Sequence, residues 1–296
     1  MTVAGKGLIF DSILFATDFS PGADKTGAYV TAIARRYGSI VQLVHVVDLS
    51  AAFKTPDAGI CIETFRRSGE ENLAKTRAQL AAAGIQVETM LREGLDTAKE
   101  ILQVADECPV DLIASGTRGP AGLSRLALGS VAEYLIHHAS CPMLTTGPHV
   151  KPPGSVENFR QIVCATDFSP EATMAVKLAL SVAQSYRAHM FLCHVLPRPD
   201  GSHSIDSHDL NEKFKVELQR LIPDIAREWC EPECVVDHGY AVDGILLLAH
   251  RVKADLIVLG ARYSSHWFAR LKAGIAFEVI RAAVCPVLTV LGEGAK

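Results

Sequence analysis

The chain has 296 residues, which is enough for about two domains of ordinary size. Hydrophobic residues make up 49% and charged residues 21%, and the formal net charge is −4, which gives no sign of the basic face expected of a nucleic-acid-binding protein. No apolar run approaches the roughly 20 residues that cross a bilayer, and the first ten residues do not form a secretion signal. We therefore expect a cytoplasmic protein without nucleic-acid or membrane partners.

Short apolar runs alternate with helical patterns along the first half of the chain. Continuous apolar runs are typical of strands buried on both faces of a parallel sheet. Ser20 and Pro21 have the residue types favoured at the N-cap and first turn of a helix, directly after the first run. Five strands are predicted, at 13–16, 40–47, 87–91, 112–115 and 143–145.

The second half of the chain repeats the first in the same order. The segment ILFATDFSP at 13–21 recurs as IVCATDFSP at 162–170, and DLIASG at 111–116 recurs as DLIVLG at 255–260. Prolines and glycines interrupt the stretch between the repeats. We therefore predict a first domain at 1–148, a linker at 149–158 and a second domain at 159–296.

Strands that alternate with helices in this way indicate an α/β fold, in which each domain is a doubly wound parallel sheet with helices on both faces. Ligands of such sheets bind beyond the carboxyl ends of the strands, where the strand order reverses. Asp18 follows the first strand, Val46 ends the second and Gly116 ends the fourth. All three are therefore expected at one edge of the sheet.

Three glycines and a serine follow the fourth strand with the spacing G-x2-G-x9-G-S, at Gly116, Gly119, Gly129 and Ser130. Glycines let backbone amides approach a ligand, and the next helix offers unpaired N–H groups to a phosphate. Arg118 and Arg125 add positive charge, and Ser130 with Glu133 forms a capping-box pattern. The pattern is neither a Walker loop nor a dinucleotide fingerprint.

These segments, together with VHVVD at 44–48 and LGSVAEYLIHHASCPML at 128–144, resemble the universal stress proteins over both repeats. The resemblance implies five strands in the order 3-2-1-4-5 and bound ATP, with Mg as the expected ion. It implies that Asp18 contacts the ribose or the metal and that the backbone around Val46 reads the adenine edge. It places six further residues around the ribose and phosphates: Gly116, Arg118, Gly119, Gly129, Ser130 and Val131.

The second domain departs from the glycine pattern. Asp167, Val195 and Gly260 match the first domain, but Tyr263 replaces the second glycine. Ten residues rather than nine then precede Gly274, and Ile275 replaces the serine. We expect this domain to bind ATP weakly or not at all. It could be a structural partner that imitates a dimer within the chain, or it could bind another ligand.

Three functions stay open at this point. The resemblance favours an ATP-binding regulatory protein in the stress response, with an unknown protein partner and an adenine nucleotide in the first domain. A slow Mg-dependent ATPase and a nucleotide-independent scaffold are the alternatives, and a homodimer is compatible with each. No carboxylate or histidine lies in the glycine loop to serve as a base for hydrolysis.

Histidines and cysteines outside this pattern are interpreted as structural. His45 and His194 lie inside apolar strands, where a hydrogen-bonded histidine is expected. Cys230, Cys234 and His238 have a spacing that does not match the common zinc sites, so ordinary buried or surface cysteines are favoured over a metal site.

Overall fold

The computed structural model describes seven stretches of the chain, namely residues 10–53, 58–117, 128–151, 159–197, 207–230, 232–261 and 274–291. The described residues up to 151 belong to one compact unit, and those from 159 onward belong to a second. Both units have an α/β architecture in which every described strand pairing is parallel. No described helix is both long enough and apolar enough to cross a membrane.

The first unit contains all five predicted strands. Its elements are β1 (Ser12–Ala16), α1 (Pro21–Tyr37), β2 (Ile40–Asp48), α2 (Leu49–Ala52), α3 (Ala58–Ala82), β3 (Gln86–Gly94), α4 (Thr97–Glu107), β4 (Leu112–Gly116), α5 (Ser130–His138) and β5 (Met143–Thr146). Neighbouring strands pair in the order β3-β2-β1-β4-β5. The order reverses between β1 and β4, so the end of β1 is where a ligand is expected.

The second unit repeats this arrangement. Its elements are β6 (Gln161–Ala165), α6 (Pro170–Tyr186), β7 (His189–Leu196), α7 (Ser207–Arg220), α8 (Asp224–Arg227), β8 (Glu233–His238), α9 (Ala241–Arg251), β9 (Leu256–Ala261), α10 (Ile275–Ala282) and β10 (Val287–Leu291). The strands pair in the order β8-β7-β6-β9-β10.

The core of each unit is built on its central strands. In β1, the four residues from Ile13 to Ala16 are all buried, and β4 is buried from Leu112 to Ser115. Successive strand side chains point to opposite faces, so uninterrupted burial means that both faces of the sheet are covered. The rigid central strands therefore fix the loops that leave their carboxyl ends.

Candidate nucleotide site

The turn from β1 into α1 is held by three side-chain hydrogen bonds. Thr17 Oγ1 accepts from the backbone N–H of Phe19 at 3.1 Å, and Asp18 Oδ1 accepts from that of Ser20 at 3.0 Å. Ser20 Oγ accepts from Ala23 N at 3.2 Å, which confirms Ser20 as the N-cap of α1. One carboxylate oxygen of Asp18 thus accepts a bond within the turn, and no described residue hydrogen-bonds the other.

Phe19 adopts a left-handed backbone conformation, with φ of 58°. This conformation is uncommon for a bulky residue and costs on the order of 1 kcal/mol. The phenyl ring packs against the ring of His45, with 4.5 Å between the ring centroids, and His45 Nδ1 hydrogen-bonds the carbonyl of Thr17 at 2.8 Å. Burial lowers the pKa of His45, so its neutral form is favoured. The prediction of a structural, hydrogen-bonded His45 is confirmed.

Val46 lies where one side of β2 has no strand beside it. Pairing with β1 ends at Val44, whose carbonyl accepts from Thr17 N at 3.0 Å, whereas pairing with β3 continues to Asp48. No described strand residue pairs with the β1-facing side of Val46. Its side chain is buried, with 8% exposed. Val46 can therefore offer a ligand its backbone rather than its side chain.

Gly116 and Gly129 make different contacts, although both belong to the glycine pattern. Gly116 ends β4 beside the first turn of α1, and a Cβ added there would lie 3.4 Å from the carbonyl carbon of Gly22, an ordinary contact distance. Gly129 donates its N–H to the carbonyl oxygen of Thr117 at 2.9 Å, and an added Cβ would lie 2.8 Å from that oxygen. A Cβ at position 129 would therefore clash with the Thr117 carbonyl oxygen, whereas a Cβ at position 116 would make contacts of ordinary length.

The predicted capping box at Ser130 and Glu133 is wrong. Gly129 is the N-cap of α5, Ser130 is the first helical residue, and no side chain of a described residue caps the helix start. The cause is the close approach of Gly129 to Thr117, which leaves no space for a side chain at the cap position. Ser130 is exposed. Its hydroxyl and the unpaired N–H groups of the first turn of α5 are therefore available to an anion.

Three of the predicted arginine and glycine positions, Arg118, Gly119 and Arg125, lie outside the described residues. The remaining predicted site residues all lie at the carboxyl edge of the first unit, at the ends of β1, β2 and β4 and at the start of α5. Val131 is the second residue of α5 and is half-buried.

The turn from β6 into α6 in the second unit has the same hydrogen bonds, but the strand beside it lies closer to the helix. Asp167 Oδ1 accepts from Ser169 N at 3.0 Å, and His194 Nδ1 hydrogen-bonds the carbonyl of Thr166 at 2.7 Å, which confirms the structural interpretation of His194. A Cβ on Gly260 would lie 2.5 Å from the backbone N of Ala172. The end of β9 therefore lies closer to the start of α6 than the end of β4 lies to the start of α1.

The start of α10 also differs from the start of α5. Gly274 is the N-cap and Ile275, which is 45% exposed, is the first helical residue. A Cβ on Gly274 would meet only the Phe277 ring, at 3.8 Å, among the described atoms beyond its neighbours. Tyr263 lies outside the described residues.

Sequence reasoning from residue types missed three buried threonines behind the site, Thr26, Thr117 and Thr146. Comparison of the repeats could have found them, because their counterparts are Ala175, Ala261 and Val290.

The cysteines and His238 contribute no described metal cluster. All eight cysteines are free thiols, and Cys164 and Cys193 are fully buried, which raises the pKa of Cys193 to about 12. His238 Nε2 hydrogen-bonds Asn211 Oδ1 at 2.7 Å. Among the described residues no group of three potential ligands could hold a metal ion.

Two matches with one family cover most of the chain. The Universal stress protein family matches residues 10–146 and again residues 158–290. The chain belongs to this family. It carries two tandem domains of the family, each on one of the two α/β units described above.

The similar proteins match either about half of this chain or nearly all of it. A universal stress protein of Methanocaldococcus jannaschii is 33% identical over 139 residues, which are 46% of this chain and 81% of the relative. A putative universal stress protein of Staphylococcus haemolyticus is 30% identical over 54% of this chain and 96% of its own length. A solved universal stress protein structure from Archaeoglobus fulgidus covers 98% of this chain and 99% of its own, with a TM-score of 0.75 and 22% identity, a likeness in fold.

Proposed function

We propose that this universal stress protein is a regulatory protein of the stress response that binds ATP in its first domain. The proposed domains are 1–148 and 159–296, with a linker between them. The observation that carries the proposal is that an open strand edge at Val46 and a helix start at Gly129 without a described side-chain cap both lie at the carboxyl edge of the first sheet, on the two sides of β1. An open backbone edge suits the adenine base, and a helix start suits phosphate.

The proposed site assigns a type of contact to each residue. The backbone around Val46 would bind the adenine edge, and the N–H groups of Ser130 and Val131 with the Ser130 hydroxyl would bind phosphate. Gly116, which ends β4 beside α1, would contact the ribose or phosphates, and Arg118 and Gly119 would complete the phosphate contacts from the loop. The free carboxylate oxygen of Asp18 would contact the ribose or Mg.

An Mg ion fits this set of residues. Mg²⁺ commonly takes one or two protein carboxylates and completes its coordination with water and substrate phosphates. Asp18 is half-buried and keeps one carboxylate oxygen outside the turn that it stabilises. The ion would neutralise phosphate charge that the helix start alone leaves unbalanced.

The second domain is proposed as a structural or regulatory partner and not as a second ATP site. The gap between Gly260 at the end of β9 and the start of α6 is too narrow for a Cβ on that glycine. Ile275 provides no hydroxyl at the start of α10. An unknown protein partner would respond to nucleotide occupancy of the first domain.

The proposal is tested by identifying the nucleotide that co-purifies with the full chain and by thermal unfolding with added ATP and MgCl2. We expect an adenine nucleotide by mass spectrometry and a rise in Tm that depends on ATP concentration, because a ligand that binds only the folded state stabilises it. No retained nucleotide and no shift in Tm at millimolar ATP would instead favour the nucleotide-independent scaffold.

The ATPase alternative is separated by phosphate release. Asp18 with a bound Mg ion could support weak turnover, but the proposed site has no dedicated base, so we expect ATP binding to exceed hydrolysis. Multiple-turnover release that Asp18→Ala abolishes would identify the chain as a slow ATPase.

A further inference from the structure

Three buried threonines of the first unit, here called the threonine relay (Thr26, Thr117 and Thr146), are joined through hydrogen bonds of their side chains and backbones. Thr26 Oγ1 donates to the carbonyl of Gly22 at 3.2 Å, and the hydroxyls of Thr26 and Thr146 lie 2.6 Å apart. Either hydroxyl can be the donor in the contact between Thr26 and Thr146.

The relay continues from β5 into the glycine loop. The carbonyl of Thr146 accepts from both the N–H and the hydroxyl of Thr117, each at 3.2 Å. The carbonyl of Thr117 in turn accepts from the N–H of Gly129 at 2.9 Å. These hydrogen bonds, joined through the backbones of Thr146 and Thr117, link the first turn of α1, the end of β5 and the N-cap of α5.

The relay is buried, so its bonds are not exchanged for bonds with water. Thr26 is 0% exposed, and Thr117 and Thr146 are each 3% exposed. Breaking one of these bonds would leave a buried polar group without a partner, and the desolvation of that group would cost free energy. The relay thus restricts where the N-cap of α5 can lie relative to α1.

The second unit shows that the fold does not need these hydroxyls. Ala175, Ala261 and Val290 occupy the matching positions and are all buried. The start of α10 also lacks the close contact seen at Gly129, because a Cβ on Gly274 meets no carbonyl oxygen among the described atoms beyond its neighbours. Loss of the relay therefore accompanies loss of the close contact at the helix N-cap.

We infer that Thr26, Thr117 and Thr146 are positioning residues for nucleotide binding, which hold the N–H groups at the start of α5 in the orientation that receives phosphate. The inference rests on the proposed ATP site and adds to it residues that need not contact the ligand. Preorganised donors bind better because the cost of ordering them is met during folding.

The matched control is Thr145, which precedes Thr146 on the same strand. Its side chain is 0% exposed, and its hydroxyl has no hydrogen-bond partner among the described residues. Thr145→Val and Thr146→Val thus remove the same atom from neighbouring buried positions, and only the second removal breaks the relay. Valine stands at the position matching Thr146 in the second unit, so the variant is expected to fold.

The test compares Thr145→Val, Thr146→Val and Thr117→Val in the full chain, by calorimetric titration with ATP and MgCl2 and by amide hydrogen exchange at Gly129. We expect Thr146→Val and Thr117→Val to weaken ATP binding about fivefold to tenfold, as for the loss of one hydrogen bond, and to speed exchange at Gly129. Thr145→Val should change neither quantity, and Thr146→Ser and Thr117→Ser should restore both.

Two results separate failure of the relay from failure of the proposed site. If Thr146→Val and Thr117→Val match Thr145→Val in both ATP affinity and Gly129 exchange, the relay has no positioning role. If the unaltered chain binds no ATP, the proposed site fails and with it the inferred role in binding. The exchange comparison then reports only whether the relay holds the start of α5.

Discussion

The two units share one turn and differ in what surrounds it. Asp18 and Asp167 accept the same backbone hydrogen bond, and Phe19 and Phe168 have φ of 58° and 64°. The space beside the turn is wider in the first unit, where a Cβ on Gly116 would lie 3.4 Å from its nearest neighbour, against 2.5 Å for Gly260. The T-D-F-S-P segment therefore forms the same turn in both units, and the differences between the units lie outside it.

The parts that differ lie beside the turn and at the next helix start. The first unit has the threonine relay, a hydrogen bond from Gly129 to the Thr117 carbonyl, and an exposed Ser130. In the second unit apolar residues replace the three threonines, Gly274 has no close contact with a described carbonyl oxygen beyond its neighbours, and Ile275 replaces the serine. The second unit thus keeps the strand-end turn but has isoleucine in place of serine at the start of its last helix. The following variants test that contrast, from the largest expected effect to the smallest.

Alanine at the two strand-end glycines tests the difference in space beside the turn. Gly260→Ala should lower the free energy of unfolding of its unit by about 1–3 kcal/mol, because the new Cβ meets backbone atoms that cannot rotate away. Gly116→Ala should cost less than about 1 kcal/mol, since its contacts are of ordinary length. Urea unfolding of both full-chain variants provides the measurement. Equal losses of unfolding free energy for Gly260→Ala and Gly116→Ala would show that the space beside the two glycines does not differ.

Alanine at the two helix N-caps tests the contact between Gly129 and Thr117. Gly129 has φ of −64° and Gly274 has φ of −61°, so alanine is conformationally acceptable at both. Only Gly129→Ala pushes a Cβ against a carbonyl oxygen, and we expect it to cost about 1–2 kcal/mol of unfolding free energy. Gly274→Ala should be close to neutral in the same urea titration. A larger loss of unfolding free energy for Gly274→Ala than for Gly129→Ala would contradict the close contact between Gly129 and the Thr117 carbonyl.

A smaller effect is expected from pH through His45. Burial lowers the pKa of His45 in the folded state below its ordinary 6.5, so the unfolded state binds more protons in acid. The neutral ring therefore contributes stability that is present above pH 6.5 and is lost as the pH falls through the lower folded pKa. His45→Asn, which can keep a donor to the Thr17 carbonyl, should flatten this loss in urea unfolding at pH 7.5 and 5.0. Parallel pH profiles for the two proteins would show that His45 contributes nothing.

Local patterns in the sequence were enough to predict the central strands and the cap of α1. Ser20 and Pro21 act within one turn, and the apolar runs reflect burial on both faces, so neighbouring residues determine both. The N-cap at Gly129 depends on a carbonyl twelve positions earlier, and the conformation of Phe19 depends on packing with His45 in the next strand. Contacts of that kind are set by tertiary structure, which the pattern S-x-x-E does not contain.

We propose that one chain holds one ATP site, in the first domain. Native mass spectrometry of the full chain with ATP and MgCl2 counts bound nucleotides directly, in the unaltered protein, Gly129→Ala and Gly274→Ala. We predict one ATP per unaltered chain, none for Gly129→Ala and one for Gly274→Ala. Two ATP molecules per chain, or one that survives Gly129→Ala and is lost in Gly274→Ala, would contradict the account.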